Sequence, residues 1–204
     1  MQTYFNSKGE MLSATLYGTS SASGVVLCPP HPLYGGSQND TRLVRIAREL
    51  TSHNISALCF DYGSYGKGVE EVQNTLDAIA FLQKSVPSVG LLGYSFGAVV
   101  ASNAATHARI DGFVAISILK RVDGLLAKLE FTSPKLLVHG KRDTVAPYTD
   151  FESLYNEAKG SKEKLVLDTD HFYMGDFPAE VAAVAEAVCK FFKRVLSNDS
   201  TDPR

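Results

Sequence analysis

Val89-Gly90-Leu91-Leu92-Gly93-Tyr94-Ser95-Phe96-Gly97-Ala98-Val99-Val100 is the stretch on which the reading of this chain turns. An apolar run meets a serine set between two glycines and continues as a second apolar run, which predicts a strand, a sharp turn and a helix. Gly93 and Gly97 satisfy the G-x-S-x-G spacing, in which glycines permit a tight, strained turn and leave room for the next helix, so that the serine oxygen stands clear of the sheet. Backbone N–H groups at the start of that helix point towards whatever Ser95 attacks, and the positive end of the helix dipole favours negative charge there. Such a turn suits acyl transfer. Five residues of pattern also occur in glycine turns that merely connect a strand to a helix, so the rest of the chain decides the meaning.

The surroundings supply a repeated alternation. Met11 to Tyr17 predicts an early antiparallel strand after a turn at Lys8-Gly9, because β-formers alternate there with polar residues. Apolar runs without alternation at Gly24–Cys28 and Gly112–Ile118 predict strands covered on both faces, and Ile55–Phe60, Lys135–His139 and Lys164–Leu167 predict further strands. Between them lie amphipathic segments. One begins at Asn39 or Asp40 as cap and runs to Ser52, and a second opens on Glu70 and Glu71 and stops before Pro87. Others run from Ser95 to His107, from Asp123 to Leu129 and from Tyr148 to Ala158. A final one has Pro178 in its first turn and carries Val181, Val184, Val188, Phe191 and Phe192 on one face. Strands alternating with helices predict an α/β fold with a mostly parallel sheet and helices on both faces. Ligands of such sheets bind beyond the carboxyl ends of the strands, here the loops at 29–37, 61–68, 93–97, 140–147 and 168–176.

The chain has 204 residues, of which 45% are hydrophobic and 21% charged, which suits one soluble domain over residues 1–196 with a polar tail over 197–204. Twenty basic and 22 acidic residues give a net charge of -2, so no strong field draws the chain to nucleic acid or anionic lipid. The expected partner is a small acyl substrate, neutral or mildly polar, and both a monomer and a homodimer fit. Cys28, Cys59 and Cys189 lack C-x-x-C spacing and read as buried thiols of a reducing compartment. The N-terminal residues do not resemble a secretion signal and no apolar run approaches the ~20 residues of a membrane span, so the expected location is the cytoplasm. No metal or organic cofactor is implied, because the histidines show no ligand spacing.

A serine hydroxyl is a poor nucleophile until an imidazole takes its proton, so the site needs a histidine on the same rim. His53 and His107 fall near helix ends, where terminal carbonyls occupy them. His139 ends a strand and packs beneath the site. His31 lies on the rim between two prolines and shapes the pocket. His171, in the loop after the last strand, is the expected base. Asp143, at a strand exit between Ser95 and His171 in chain order, is the expected acceptor for its other ring nitrogen, with Asp123 as the rival acid and helix capping as Asp143's alternative role. Asp168 and Asp170 sit too near His171 in sequence and shape its loop. The oxyanion needs two donors: the N–H of Phe96 and one from the loop after Gly24–Cys28, where Leu33 and Tyr34 are the candidates.

His31-Pro32-Leu33-Tyr34-Gly35-Gly36, Gly93-Tyr94-Ser95-Phe96-Gly97, His139-Gly140-Lys141-Arg142-Asp143 and Asp170-His171-Phe172, in this order, resemble the α/β-hydrolase superfamily over about residues 10–196. They are most similar to its small, cap-less, dienelactone-hydrolase-like branch. The resemblance implies a three-layer α/β-hydrolase fold and a serine hydrolase cleaving a carboxylic ester or thioester through a Ser95 acyl-enzyme. A peptidase or amidase on the same residues, or an idle hydrolase scaffold that only binds, are the alternatives. Two departures limit what carries over. Dienelactone hydrolases proper use cysteine where this chain has Ser95, and Asp61-Tyr62-Gly63-Ser64 lacks an arginine that many relatives carry after the fourth strand. Only about seventeen residues separate Ile118 from Lys135, where lidded relatives insert a cap, so an open site without a lid domain is expected. Its rim would carry His31, Tyr62, Tyr65, Phe172 and Tyr173 as pocket residues.

Overall fold

The computed structural model describes residues 1–18, 22–174 and 179–197. In chain order the elements are β1 (Gln2–Ser7), β2 (Glu10–Tyr17), β3 (Ser23–Cys28), a 3-10 turn at Pro32–Tyr34, α1 (Thr41–Ser52), β4 (Ile55–Phe60), α2 (Val69–Leu82), β5 (Ser88–Tyr94) and α3 (Phe96–Ala104). They continue with β6 (Gly112–Ile116), β7 (Arg121–Val122), β8 (Leu125–Leu126), β9 (Lys135–Gly140), α4 (Tyr148–Glu157), β10 (Lys162–Leu167) and α5 (Ala179–Leu196). Eight strands form one sheet in the order β1-β2-β4-β3-β5-β6-β9-β10. Only the pairings β1–β2 and β2–β4 are antiparallel. The six other strands run parallel; β3, β4, β5, β6 and β9 are buried throughout, as apolar runs covered from both sides must be, whereas the edge strand β10 has no fully buried residue.

Covering comes from two helical layers. On one face α2, α3 and α4 bring Ala78, Ile79, Val99, Phe151 and Leu154 against Val26, Leu91, Phe113 and Leu137. On the other, α1 and α5 bring Leu43, Ile46, Leu50, Val184, Val188 and Phe192 against Leu27, Leu92, Val114 and Val138. The register lines up the ends that matter: Cys28 pairs with Gly93, Tyr94 with Ile116 and Leu167 with Gly140. The loops leaving β3, β5, β9 and β10 therefore emerge along one edge.

Two expectations need correction. The segment 123–129 is not a helix. Arg121–Val122 and Leu125–Leu126 pair as a hairpin, with Asp123 and Gly124 at φ 46° and 91° in its two-residue turn. Asp-Gly is a strong signal for such a turn, and it outweighs the short apolar run that follows. The sheet also gains an edge strand, β1, that the apolar pattern did not reveal, because only Phe5 and Ser7 of its six residues are buried. Smaller shifts of bounds occur at the ends of α3, β6 and β10. Asp40, not Asn39, caps α1, its Oδ1 accepting from the N–H groups of Arg42 and Leu43 at 3.0 and 3.3 Å. Pro178 and the tail beyond Ser197 lie outside the described residues.

Candidate active site

Ser95 stands between the end of β5 and the start of α3 at φ 57°, ψ −120°, a backbone conformation that costs a non-glycine residue strain. Both flanking glycines are sterically required. A Cβ on Gly93 would fall 2.2 Å from the Gly97 carbonyl oxygen, and one on Gly97 would fall 2.3 Å from that of Pro29. The second figure also places the loop leaving β3 directly against the first turn of α3.

The histidine loop closes on this elbow from β10. His171 Nε2 lies 2.9 Å from Ser95 Oγ, and its Nδ1 lies 2.7 Å from Asp143 Oδ2. A carboxylate only accepts, so Nδ1–H donates to Asp143, which leaves Nε2 to accept from the serine O–H. Asp143 also caps its own turn, its Oδ1 accepting from the N–H groups of Val145 at 2.9 Å and Ala146 at 2.7 Å. Capping and orienting are therefore divided between its two oxygens. Burial pushes the Asp143 carboxyl up, but hydrogen bonds from His171 and from the Ala146 N–H outweigh it and hold the group below its ordinary range. The imidazole thus faces a charged acceptor.

The loop carrying His171 is fixed internally by Asp170, whose Oδ1 accepts from the N–H groups of Phe172 and Met174. Tyr173 is a correction. It does not line the pocket; at φ 57° its side chain turns inward, is 2% exposed and hydrogen-bonds Ser117 Oγ at 3.1 Å. Phe172, its neighbour, does reach the rim.

Asp123, the rival acid, is not near His171. It takes a hydrogen bond from the Tyr65 hydroxyl and lies 3.7 Å from His31 Nε2. Tyr65 and Tyr62 are also absent from the cavity wall. Tyr65 packs on the far side of His31 at a ring separation of 5.0 Å, and Tyr62 packs beneath Phe96, its hydroxyl on the Pro29 carbonyl. His31 itself lines the cavity, with Tyr34, Tyr94, Arg42, Asp40, Ser95, His171 and Phe172, around a volume of about 210 Å³.

The oxyanion expectation for Leu33 and Tyr34 meets a plain obstacle. The Leu33 N–H donates to His31 Nδ1 at 3.3 Å and the Tyr34 N–H donates to the His31 carbonyl at 3.0 Å, so the 3-10 turn consumes both. Pro29, Pro30 and Pro32 have no N–H. Among the described residues the His31 N–H makes no hydrogen bond, which leaves it the free donor where the loop passes α3. Phe96, first residue of α3, likewise has an N–H without an intrahelical acceptor. The run of prolines was the available signal, since it removes every donor from 29 to 32 except that of His31.

A family model described as serine hydrolase (FSH1) matches residues 2–173. The chain belongs to that family. No curated protein matches it. Among solved structures, this FSH1-family chain resembles XC6422 from Xanthomonas campestris, described as an α/β serine hydrolase without a lid, at 19% identity and TM-score 0.82, covering 97% of this chain and 95% of the other. It also resembles a dienelactone hydrolase from Anabaena variabilis (16% identity, TM-score 0.81, 96% and 97% covered) and the Pyrococcus furiosus esterase Pf2001 (20%, 0.80, 96% and 92%). At these identities the likeness is one of fold, and it agrees with the lid-less α/β-hydrolase architecture of the FSH1-family chain described above.

Proposed function

We propose that the protein hydrolyses a small carboxylic ester or thioester through an acyl-enzyme on Ser95, with His171 as general base and then acid and Asp143 as its orienting carboxylate. The observation that carries this reading is the imidazole bridging Ser95 Oγ and Asp143 Oδ2 at 2.9 and 2.7 Å. As Ser95 attacks the acyl carbon, its proton passes to His171 Nε2, and the imidazolium is held by the ionised Asp143. The carbonyl oxygen becomes an oxyanion and takes hydrogen bonds from the Phe96 and His31 N–H groups, each worth on the order of 10²–10³ in rate. Collapse breaks the bond to the alcohol or thiol, which leaves with the proton from His171. Water then repeats the sequence and frees the acid. A cavity of about 210 Å³ suits a small acyl group, with the leaving group in solvent. The three cysteines are buried and unpaired, which supports a reducing compartment such as the cytoplasm. Among the described residues no helix is long and apolar enough to cross a membrane.

The test is a fluorophosphonate probe alongside a panel of short p-nitrophenyl esters, thioesters and aminoacyl amides. Wild type should label and cleave esters or thioesters, and Ser95→Ala should fold but do neither. An unlabelled wild type would refute the mechanism. Amides cleaved in preference to esters would move the protein to the amidase reading.

A further inference from the structure

The residue before the nucleophile does more than fill space. Tyr94 is 2% exposed, and its hydroxyl donates to the His171 main-chain carbonyl at 2.6 Å while accepting from Arg42 Nη1 at 2.7 Å. The Arg42 guanidinium also lies 4.3 Å over the Tyr94 ring. Its other edge is held by Asp40, which accepts from Nε at 3.0 Å and from Nη2. Asp40 is itself fixed as the N-cap of α1. A continuous chain therefore runs from the start of α1, across the nucleophile elbow, to the backbone of the histidine.

We propose that Tyr94, anchored by the Asp40–Arg42 pair, is a positioning residue that fixes the His171 main chain and so keeps the imidazole between Ser95 and Asp143. This rests on reading His171 as the base. Among the described residues no other donor reaches the His171 carbonyl. Without the hydroxyl, that carbonyl is a buried acceptor with no partner among the described residues, and the loop relieves the penalty by turning it towards water. The imidazole moves with it. Burial pushes the Tyr94 phenol well up, against the lowering influence of Arg42, so the hydroxyl keeps the proton it donates. The link also joins serine and base directly: Tyr94 and Ser95 are consecutive, so a shift of the elbow carries the base with it.

Tyr94→Phe keeps the ring and removes only the hydroxyl. Misplacement of a catalytic group by about 1 Å costs on the order of 10²-fold, so kcat should fall about 10- to 100-fold with KM unchanged within about twofold. Arg42→Met should lower kcat less, and in the Tyr94→Phe background should add under about twofold, since both changes break one chain of contacts. Circular dichroism and melting would establish that each variant folds.

Unchanged kcat in Tyr94→Phe overturns the inference, as do independent, multiplying losses for the two variants. A raised KM at constant kcat would make Tyr94 and Arg42 substrate contacts and overturn it too. Fluorophosphonate labelling separates this from the reading beneath it: a wild type that labels, with a fully active Tyr94→Phe, sinks the inference alone. A wild type that does not label sinks both.

Discussion

Two histidines flank Asp143, and only one of them reaches Ser95. His171 Nδ1 lies 2.7 Å from Asp143 Oδ2 and His139 Nε2 lies 3.9 Å from the same oxygen, both rings buried. Their surroundings differ. His171 opens onto the cavity and presents Nε2 to Ser95, whereas His139 is enclosed, stacked on Phe151 at 4.5 Å, with its Nε2–H donated to the Ala146 carbonyl at 2.9 Å. Among the described residues its Nδ1 has no hydrogen-bond partner. Burial pushes the His139 imidazole below its ordinary value, partly offset by Asp143 and the Ala146 carbonyl, which keeps it neutral. A neutral neighbour leaves the Asp143 charge to His171. On the proposed reading, proximity to a carboxylate does not make a base; access to Ser95 does.

The comparison can be broken in three places. The largest expected effect is His171→Ala, which should lower kcat by about 10⁶-fold, as loss of the histidine does in serine proteases. Rates near wild type would mean that His139, or no imidazole, serves Ser95. Asp143→Asn should cost about 10⁴-fold while the fold survives, because an amide at this position favours the wrong tautomer of His171. Stopped-flow acylation and deacylation rates would read it, and a loss below tenfold would remove the carboxylate from the mechanism.

His139→Gln should cost less than about tenfold in kcat, within what an indirect disturbance of Asp143 produces. Its clearer effect is on stability against pH. A histidine whose folded-state pKa lies below its unfolded value of about 6.5 contributes fully above that value and loses the contribution as pH falls through the folded one. Urea unfolding should therefore show wild type losing stability between pH 7 and 5 faster than His139→Gln. Parallel curves would show that His139 titrates alike in both states. Asp143 adds the same sign at lower pH, since its folded-state value is also depressed.

Much of this was legible because it depends on spacing along the chain. The elbow, the chain order Ser95, Asp143, His171 and the doubly covered strands follow from patterns that local sterics impose. The rest depends on which partner a group finds. Leu33 and Tyr34 looked free until the 3-10 turn claimed their N–H groups, whereas that of His31 makes no hydrogen bond among the described residues. Tyr173 and Phe172 are adjacent aromatics, yet the positive φ of Tyr173 sends one inward and leaves the other at the rim. The contact of Arg42 with Tyr94 spans 52 residues and has no periodicity to betray it. The hairpin at 121–126 is legible in Asp123-Gly124, a turn signal stronger than the short apolar run beside it.

The elbow imposes its demands on the main chain and on two glycines, and very little on the reacting atom itself. Gly93 and Gly97 have no alternative, because backbone oxygens occupy the space a methyl group would need. Position 95 is constrained in φ and ψ but carries its reacting atom out into a cavity. Exchanging oxygen for sulfur there, as Ser95→Cys, leaves the demanding part of the architecture untouched. On the proposed reading, one scaffold can in this way host nucleophiles of different hardness, an oxygen and a sulfur that differ by a single atom.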